Sequence, residues 1–248
     1  MAGSPSAEPD PSLAVDVERA DTVTNTAAGG PADCTRGTVA AARNLDWPAC
    51  LNARDLGGLP TEGEGEIRDG ASIRSDRHSC LTRVGIDAVQ RIAASRIIDL
   101  RAPHQCEREP SPFAGTDLYR NVPLSDPADA PDRQPRLVAR YLSKLDHNLH
   151  RFAQVVATVA DAPLGAVVVR CEAGKDRTGL VVALILGAVG VPNEAIAANY
   201  AVSARADTML STLTHLHDQY GGVVRYLRCG GLSRTQLDVL RERLVDQS

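Results

Sequence analysis

Residues 165–188 read GAVVVRCEAGKDRTGLVVALILGA and determine how the chain is expected to fold. Their first part, 165–169, is a short β-branched apolar run after a glycine, which is typical of a central strand. A polar loop follows, and then an apolar helical pattern from Thr178 to Ala188. A loop between a strand and a helix directs backbone amides and the positive helix end at one point. The stretch therefore predicts an anion-binding cradle.

Working outward from this stretch, strand and helix patterns alternate along the chain. Such alternation predicts an α/β domain with a central, largely parallel sheet flanked by helices. The helical patterns cover residues 81–94, 137–159, a segment starting near 193, 206–218 and 233–246. The strand patterns cover residues 97–100 and 118–124, with a short strand pair within 65–75.

The first 45 residues differ in amino-acid composition from the rest of the chain. They are rich in Ala, Pro, Gly, Ser and acidic residues, and such a segment buries too little apolar surface to offset its ordering entropy. We predict a flexible N-terminal tail over residues 1–45 and one catalytic domain over 46–248. A chain of 248 residues with 43% hydrophobic residues supplies enough material for one substantial core.

Composition excludes several classes of protein. A net charge of −4 and an aromatic content of 3% argue against a nucleic-acid partner. The longest apolar run, residues 180–191, is shorter than the roughly 20 residues that a membrane span needs. Six scattered cysteines with no Cys-x-x-Cys pair predict reduced thiols in a cytoplasmic protein, with no metal site and no cofactor. Nothing in the sequence indicates an oligomeric state.

The polar loop contains residue types suited to phosphate chemistry. Cys171 begins the loop, and converging amides favour a thiolate by lowering the pKa of a free cysteine from about 8.5 to roughly 3.5–7.5. Such a thiolate can attack phosphorus, while the planar fork of Arg177 matches two phosphate oxygens. Gly174 is expected to let the backbone approach the phosphate, and the Thr178 hydroxyl to donate to the sulfur. Gly179 is expected to allow close packing where the helix starts.

The loop resembles a known signature. Cys-(x)5-Arg followed by Thr-Gly is typical of protein-tyrosine-phosphatase-like enzymes, and the full string at 171–179 is similar to the bacterial branch that acts on phosphotyrosine and often on phosphoinositides. The segment NARDLGG at 52–58 resembles an upstream element of that branch, and residues 74–76 and 98–101 follow in the expected order. The resemblance covers residues 47–248. It implies a cysteine-phosphatase-like fold and a phosphocysteine intermediate, with phosphotyrosine protein or a phosphoinositide as substrate.

The resemblance also implies roles for single residues. Asp176 would be the general acid, with Asp126 in the loop at 125–135 as the alternative. Lys175 would meet extra negative charge on the substrate. The remaining substrate-binding positions of the loop would be Glu172, Ala173, Gly174 and Thr178. Arg54 and Asp55 would brace the loop or contact the substrate, although Asp55 is equally suited to closing a turn.

One position departs from the family pattern. The residue before the nucleophile is normally His, and here it is Arg170, which donates hydrogen bonds and adds positive charge but accepts none. This change leaves two alternatives open: a phosphatase of a specialised small metabolite, and a phosphate-binding module with little turnover. Near the preceding strand, Asp99 and Arg101 are predicted to form a structural ion pair.

Overall fold

One six-stranded sheet runs through the part of the chain that the computed structural model describes, residues 43–124 and 136–246. The strand order is β1-β2-β4-β7-β5-β6; the last four are parallel to their neighbours, and β1 and β2 form an antiparallel edge. A two-stranded antiparallel sheet joins β3 to β8. The strands are β1 Arg43–Asn44, β2 Arg54–Asp55, β3 Glu66–Ile67, β4 Ser72–Ser75, β5 Ala94–Asp99, β6 Tyr119–Asn121, β7 Ala166–Arg170 and β8 Val245–Asp246.

Helices follow most of the strands of the larger sheet, so the predicted α/β class and largely parallel sheet are confirmed. The helices in the described ranges are α1 Arg83–Arg91, α2 Pro103–Arg108, α3 Leu137–His147, α4 Leu149–Ala160, α5 Asp176–Ala188, α6 Asn193–Ala201, α7 Ala206–Tyr220, α8 Val223–Cys229 and α9 Arg234–Leu244. None of them is both long enough and apolar enough to cross a membrane.

The central strand β7 is buried on both faces, as its apolar run predicts. Val167 and Val169 point into a large cluster that includes residues of α4 and α5, while Val168 points into a smaller cluster with Ala88 and Val89 of α1. Successive side chains of a strand point to opposite faces, so two layers of helices can cover this strand at once.

Several local predictions need correction. The strand pair expected within residues 65–75 is wrong: β3 pairs with β8 near the C-terminus, and β4 pairs with β2 and β7. The pattern over 137–159 is two helices, α3 and α4, separated at Asn148. The short elements α2, α8, β1, β2 and β8 were not predicted, because two to seven residues give too little periodicity to read.

Two predictions lie outside the described residues. One is the tail over residues 1–45, except at its end, where Arg43 and Asn44 already belong to β1. The other is the loop at 125–135 with Asp126. The domain boundary at residue 46 stays a prediction.

Candidate active site

The candidate site is the loop from Cys171 to Arg177 at the carboxyl end of β7. The last residue of β7, Arg170, is paired with Ser75 of β4 on one side and Asp99 of β5 on the other. Cys171 is buried, with 3% of its surface exposed. The residues from Lys175 to Arg177 are half-buried, and α5 begins at Asp176. The predicted strand–loop–helix arrangement is therefore present, and it presents the loop at the end of the sheet.

The backbone amides of the loop bond none of the residues that the structure describes. From Glu172 to Thr178, none donates to another residue that the structure describes, and the first amide bond of α5 is Gly179 N to Lys175 O at 2.8 Å. The carbonyls of Ala173 and Gly174 accept from Asn52 Nδ2 at 3.0 and 3.1 Å. In a trans peptide the N–H points opposite to the carbonyl, so the following amides are turned away from Asn52. The loop thus offers free donors on its inner side.

Asn52 is itself held by neighbours. Arg54 Nη1 donates to Asn52 Oδ1 at 2.7 Å, and Ser203 Oγ donates to the same oxygen at 3.1 Å. The Asp76 carboxylate accepts a hydrogen bond from the backbone amide of Asn52 at 3.3 Å. Arg54 is buried, and burial lowers its pKa. Arg54 therefore contacts the loop through Asn52, as the bracing alternative describes.

Asp55 is engaged elsewhere. Its Oδ1 accepts from the Gly57 amide at 3.0 Å, and its Oδ2 accepts from the Gly70 amide at 2.9 Å. Both carboxylate oxygens thus bond turn amides, which corresponds to the turn-closing alternative for this residue.

Two loop glycines are required by close packing. Gly174 has φ +62°, and a Cβ there would lie 2.7 Å from the carbonyl of Ser75. A side chain at Gly174 is therefore already excluded by contact with β4, and the expected approach of the loop backbone to a phosphate stays a prediction. At Gly179 a Cβ would lie 2.6 Å from the Tyr200 ring, so the expected close packing at the helix start is present.

The carboxylate of Asp176 is oriented by two tyrosines. Tyr141 of α3 donates its hydroxyl hydrogen to Asp176 Oδ1 at 2.6 Å. The hydroxyl oxygen of Tyr200 of α6 lies 2.6 Å from the hydroxyl oxygen of Tyr141. Burial, followed by the hydrogen bond to Asp176, raises the pKa of Tyr141 far above its usual range. No described residue bonds Asp176 Oδ2. One carboxylate oxygen is therefore held by Tyr141, while the other bonds none of the described residues.

The cations of the loop differ in how they are held. Arg177 Nη1 donates to Gln105 Oε1 of α2 at 2.9 Å, which fixes one arm of the guanidinium. The Lys175 side chain makes no hydrogen bond or ion pair with the described residues, although its carbonyl accepts from the Gly179 amide. The buried Thr178 hydroxyl also has no partner there. Lys175 and the rest of the Arg177 fork are therefore available to an anion.

Behind Cys171 lies a buried charge cluster centred on Asp99. Arg101 Nη2 donates to Asp99 Oδ2 at 2.9 Å, Tyr119 donates to the same oxygen at 2.9 Å, and Arg170 also bonds it. Burial favours the neutral acid, but the hydrogen bond from Arg101 and the charge of Arg170 lower the pKa of Asp99 to about 2. The predicted Asp99–Arg101 ion pair is present, and Arg170 joins it.

Arg170 stands immediately before Cys171, at the position where the resemblance leads one to expect His. Its Nε also donates to the Asp76 carbonyl at 3.3 Å. Glu172, at the start of the loop, lies 3.7 Å from Arg77 and from Arg101. The guanidinium of Arg170 therefore links the end of β7 to Asp99 of β5 on one side and to Asp76, the residue after β4, on the other.

A buried imidazole stands beside this cluster. His78 Nε2 lies 2.9 Å from Ser75 Oγ, and its ring packs edge-on against Trp47 and Phe113. Burial first, and the charge of Arg170 second, lower the pKa of His78 to about 3. His78 is therefore neutral in the folded protein at physiological pH.

Several residues of the site were missed from the sequence. Asn52 lies within a quoted motif but was given no role, and its amide side chain next to Arg54 was the available signal. Gln105, Tyr141 and Tyr200 have no local signal, because they reach the loop only through α2, α3 and α6.

Comparison with known proteins agrees with this geometry. A model of the tyrosine phosphatase family matches residues 45–206, more than half of the chain. The chain belongs to this family.

Three similar proteins carry phosphatase names. A tyrosine-protein phosphatase of Nostoc commune is 28% identical, over 70% of this chain and 74% of the relative. A putative tyrosine-protein phosphatase of Cupriavidus necator is 29% identical, over 63% and 62%. The triple specificity protein phosphatase PtpB of Mycobacterium tuberculosis is 29% identical, over 62% and 67%.

Proposed function

We propose that this chain hydrolyses phosphomonoesters with Cys171 as the nucleophile. The observation that carries the proposal is that the backbone amides from Glu172 to Thr178 bond none of the described residues. This run begins next to Cys171, and it contains Arg177, whose side chain adds a guanidinium. Inward amides and a guanidinium fork are the donors that suit the oxygens of a phosphoryl group. Membership of the tyrosine phosphatase family supports the same reaction.

The reaction would run in two displacements. The Cys171 thiolate forms an S–P bond as the bond from phosphorus to the leaving oxygen breaks, and Asp176 gives its proton to that oxygen. Water then forms an O–P bond as the S–P bond breaks, and its proton returns to Asp176. The loop amides and Arg177 hold the phosphoryl oxygens through both steps, when negative charge is greatest.

Asp176 is the general acid in this proposal. Its Oδ1 is held by Tyr141, and its Oδ2 has no described partner, so Oδ2 is the oxygen that carries the proton to the leaving group. Holding an acid in one orientation is what a positioned general acid requires.

Phosphotyrosine protein is the substrate class that we propose, since an aryl phosphate leaves with modest help from an acid. Lys175 favours phosphoinositides as a second candidate. It is half-buried beside the loop and makes no ion pair with described residues, so it can meet an additional anionic group on the substrate.

The nucleophile is tested with p-nitrophenyl phosphate. Cys171→Ser should lower kcat by at least about 10³-fold, because a serine hydroxyl is far less ionised than a thiol. Cys229→Ser, at an exposed cysteine, is the matched control and should keep the wild-type rate. Mass spectrometry of acid-quenched protein should find phosphate on residues 171–175 only when Cys171 is present. Equal rates for wild type and Cys171→Ser would refute the proposal, as would a wild type that binds phosphate without turnover.

The acid is tested by comparing leaving groups. Asp176→Asn should lower kcat about 10²–10⁴-fold for phenyl phosphate and far less for dinitrophenyl phosphate, whose leaving oxygen needs no proton. Asp126→Asn is the comparison variant. If Asp126→Asn shows this leaving-group dependence and Asp176→Asn does not, the assignment is reversed.

The substrate class is tested with a panel of phosphotyrosine peptides, short-chain phosphoinositides, nucleotides and sugar phosphates. Lys175→Met should reduce kcat/KM for phosphoinositides more than for phosphopeptides. Preferential hydrolysis of a sugar phosphate or nucleotide would contradict both proposed classes and support a specialised metabolite phosphatase.

A further inference from the structure

Arg74 of β4 is a buried cation that has no carboxylate partner among the residues that the structure describes. Its side chain is fully buried, Nη2 donates to the Gly174 carbonyl at 2.8 Å, and Nη1 donates to Asn199 Oδ1 at 3.3 Å. Its Nε has no partner, and none of the described acidic side chains lies within ion-pair distance. Every oxygen that Arg74 bonds is therefore formally neutral.

This situation differs from that of the other buried arginines near the loop. Arg101 and Arg170 share the Asp99 carboxylate, whereas Arg74 lies opposite Arg54 in the antiparallel register of β2 and β4. Arg54 also bonds only neutral oxygens, on Asn52, Asn199 and Ser203. Leaving a charge buried without a counter-charge costs several kcal/mol, so a retained one implies an anion nearby.

The geometry points to the sulfur of Cys171 as that anion. Arg74 is paired with Val169 in the parallel register of β4 and β7, and Cys171 follows two residues later on the same face. Arg74 Nη2 lies 3.9 Å from the position of a Cβ on Gly179, beneath the first turn of α5. The guanidinium is therefore enclosed by the loop and the helix start.

Electrostatics agree with this placement. Burial, followed by the charge of Arg54, lowers the pKa of Arg74 to about 9, and a negative charge on Cys171 is the first influence that opposes them. A pKa of about 9 keeps Arg74 positively charged at neutral pH, so a thiolate at Cys171 would interact favourably with it.

We infer that Arg74 is a positioning residue that keeps the Cys171 sulfur ionised and aims the Lys175 amide into the cradle through the Gly174 carbonyl. The inference rests on the proposed nucleophile. The positive charge next to the sulfur would then come from Arg74, which is far from the loop in sequence, as well as from Arg177 within the loop.

The test measures how fast iodoacetamide alkylates Cys171 as a function of pH in the full chain. Trypsin cleaves after Arg170 and Lys175, so mass spectrometry can follow the peptide CEAGK separately from the other cysteines. Removing one nearby positive charge should move the pH of half-maximal rate upward by about one unit or more in Arg74→Met. At a pH below both midpoints the rate should then fall about tenfold, whereas Arg74→Lys should keep most of the wild-type profile.

Arg91→Met removes an exposed arginine of α1 and is the matched control, with no expected shift. A merely structural role for Arg74 would change the plateau rate through altered access but not the midpoint of the profile. Arg74→Gln, which keeps a donor for the Gly174 carbonyl, provides the same measurement if thermal denaturation shows that Arg74→Met does not fold.

The two proposals fail in different ways. A wild-type midpoint near 8.5, the value of an ordinary thiol, would refute the activated nucleophile itself. A low wild-type midpoint that is unchanged in Arg74→Met and Arg74→Gln would overturn the role of Arg74 alone.

Discussion

The inner and outer sides of the loop at 171–177 differ in how far their polar groups are satisfied. On the inner side, the amides from Glu172 to Thr178 have no partner among the described residues. On the outer side, the carbonyls of Ala173 and Gly174 are bonded, and Asp99 behind the loop accepts hydrogen bonds from three side chains. The saturated outer side thus holds the loop, and the unbonded amides would be preorganised donors for the anionic substrate that we propose.

The largest effect on stability should come from the outer side. Asp99→Asn removes the carboxylate that Arg101 and Arg170 share. Among the described residues, it leaves the buried Arg170 without a counter-charge and Arg101 with only the 3.7 Å contact to Glu172. We expect urea denaturation at pH 7 to show a free energy of unfolding lower by about 3–5 kcal/mol. Asp69→Asn, which breaks an exposed ion pair with Arg43, should cost far less because that pair is solvated. Equal losses in the two variants would remove the distinction between a buried scaffold and surface charge.

On the inner side, the largest effect should be on rate. Arg177→Lys keeps the charge but loses the planar fork and the bond to Gln105, so kcat should fall about 10²–10³-fold while stability changes little. The measurement is p-nitrophenyl phosphate hydrolysis alongside thermal denaturation. Arg120→Lys, at an exposed position, is the control. An unchanged kcat in Arg177→Lys would mean that Arg177 does not clamp the phosphoryl group.

The outer side should also make stability depend on pH. Folded His78 stays neutral down to about pH 3, whereas an unfolded histidine takes up a proton near pH 6.5. Below pH 6.5 the unfolded state binds more protons than the folded state. The contribution of the neutral His78 to the free energy of unfolding is therefore complete above that pH, and it is lost as the pH falls towards 3.

At pH 5 the loss attributable to His78 should be about 2 kcal/mol relative to pH 7. Urea denaturation at the two pH values measures it. His78→Gln should reduce the difference between them by that amount, and His217→Gln, at an exposed histidine, should leave it unchanged. A difference that is the same in all three proteins would show that His78 is not responsible.

The smallest effect on kcat should come from the hydrogen bond between Tyr141 and Asp176. Tyr141→Phe removes the hydrogen bond to Asp176 Oδ1 but leaves the ring packed against Tyr200. Loss of one orienting bond should lower kcat about tenfold for phenyl phosphate, with much less effect for dinitrophenyl phosphate. An equal loss with both substrates would place the function of Tyr141 in folding and not in orienting the acid.

Prediction from sequence succeeded where the information is contiguous. Residues 166–188 carry strand, loop and helix in order, and the structure has β7 and α5 at these positions. It failed for the strand pair at 65–75, because the partner of β3 is β8, near the other end of the domain. It left open whether Asp55 contacts substrate or closes a turn, because the amides of Gly57 and Gly70 that it bonds are placed by the fold.

The sequence alone determined the α/β class and the position of the strand–loop–helix segment that we propose as an anion cradle. The periodicity of β7 and α5 and the spacing from Cys171 to Arg177 are local properties of one segment. Only the tertiary structure decided which groups surround that loop. Asn52, Tyr141 and Gln105 reach it from 35 to 122 residues away. Such contacts depend on how helices and strands pack across the sheet, and no periodicity within a single segment records that packing.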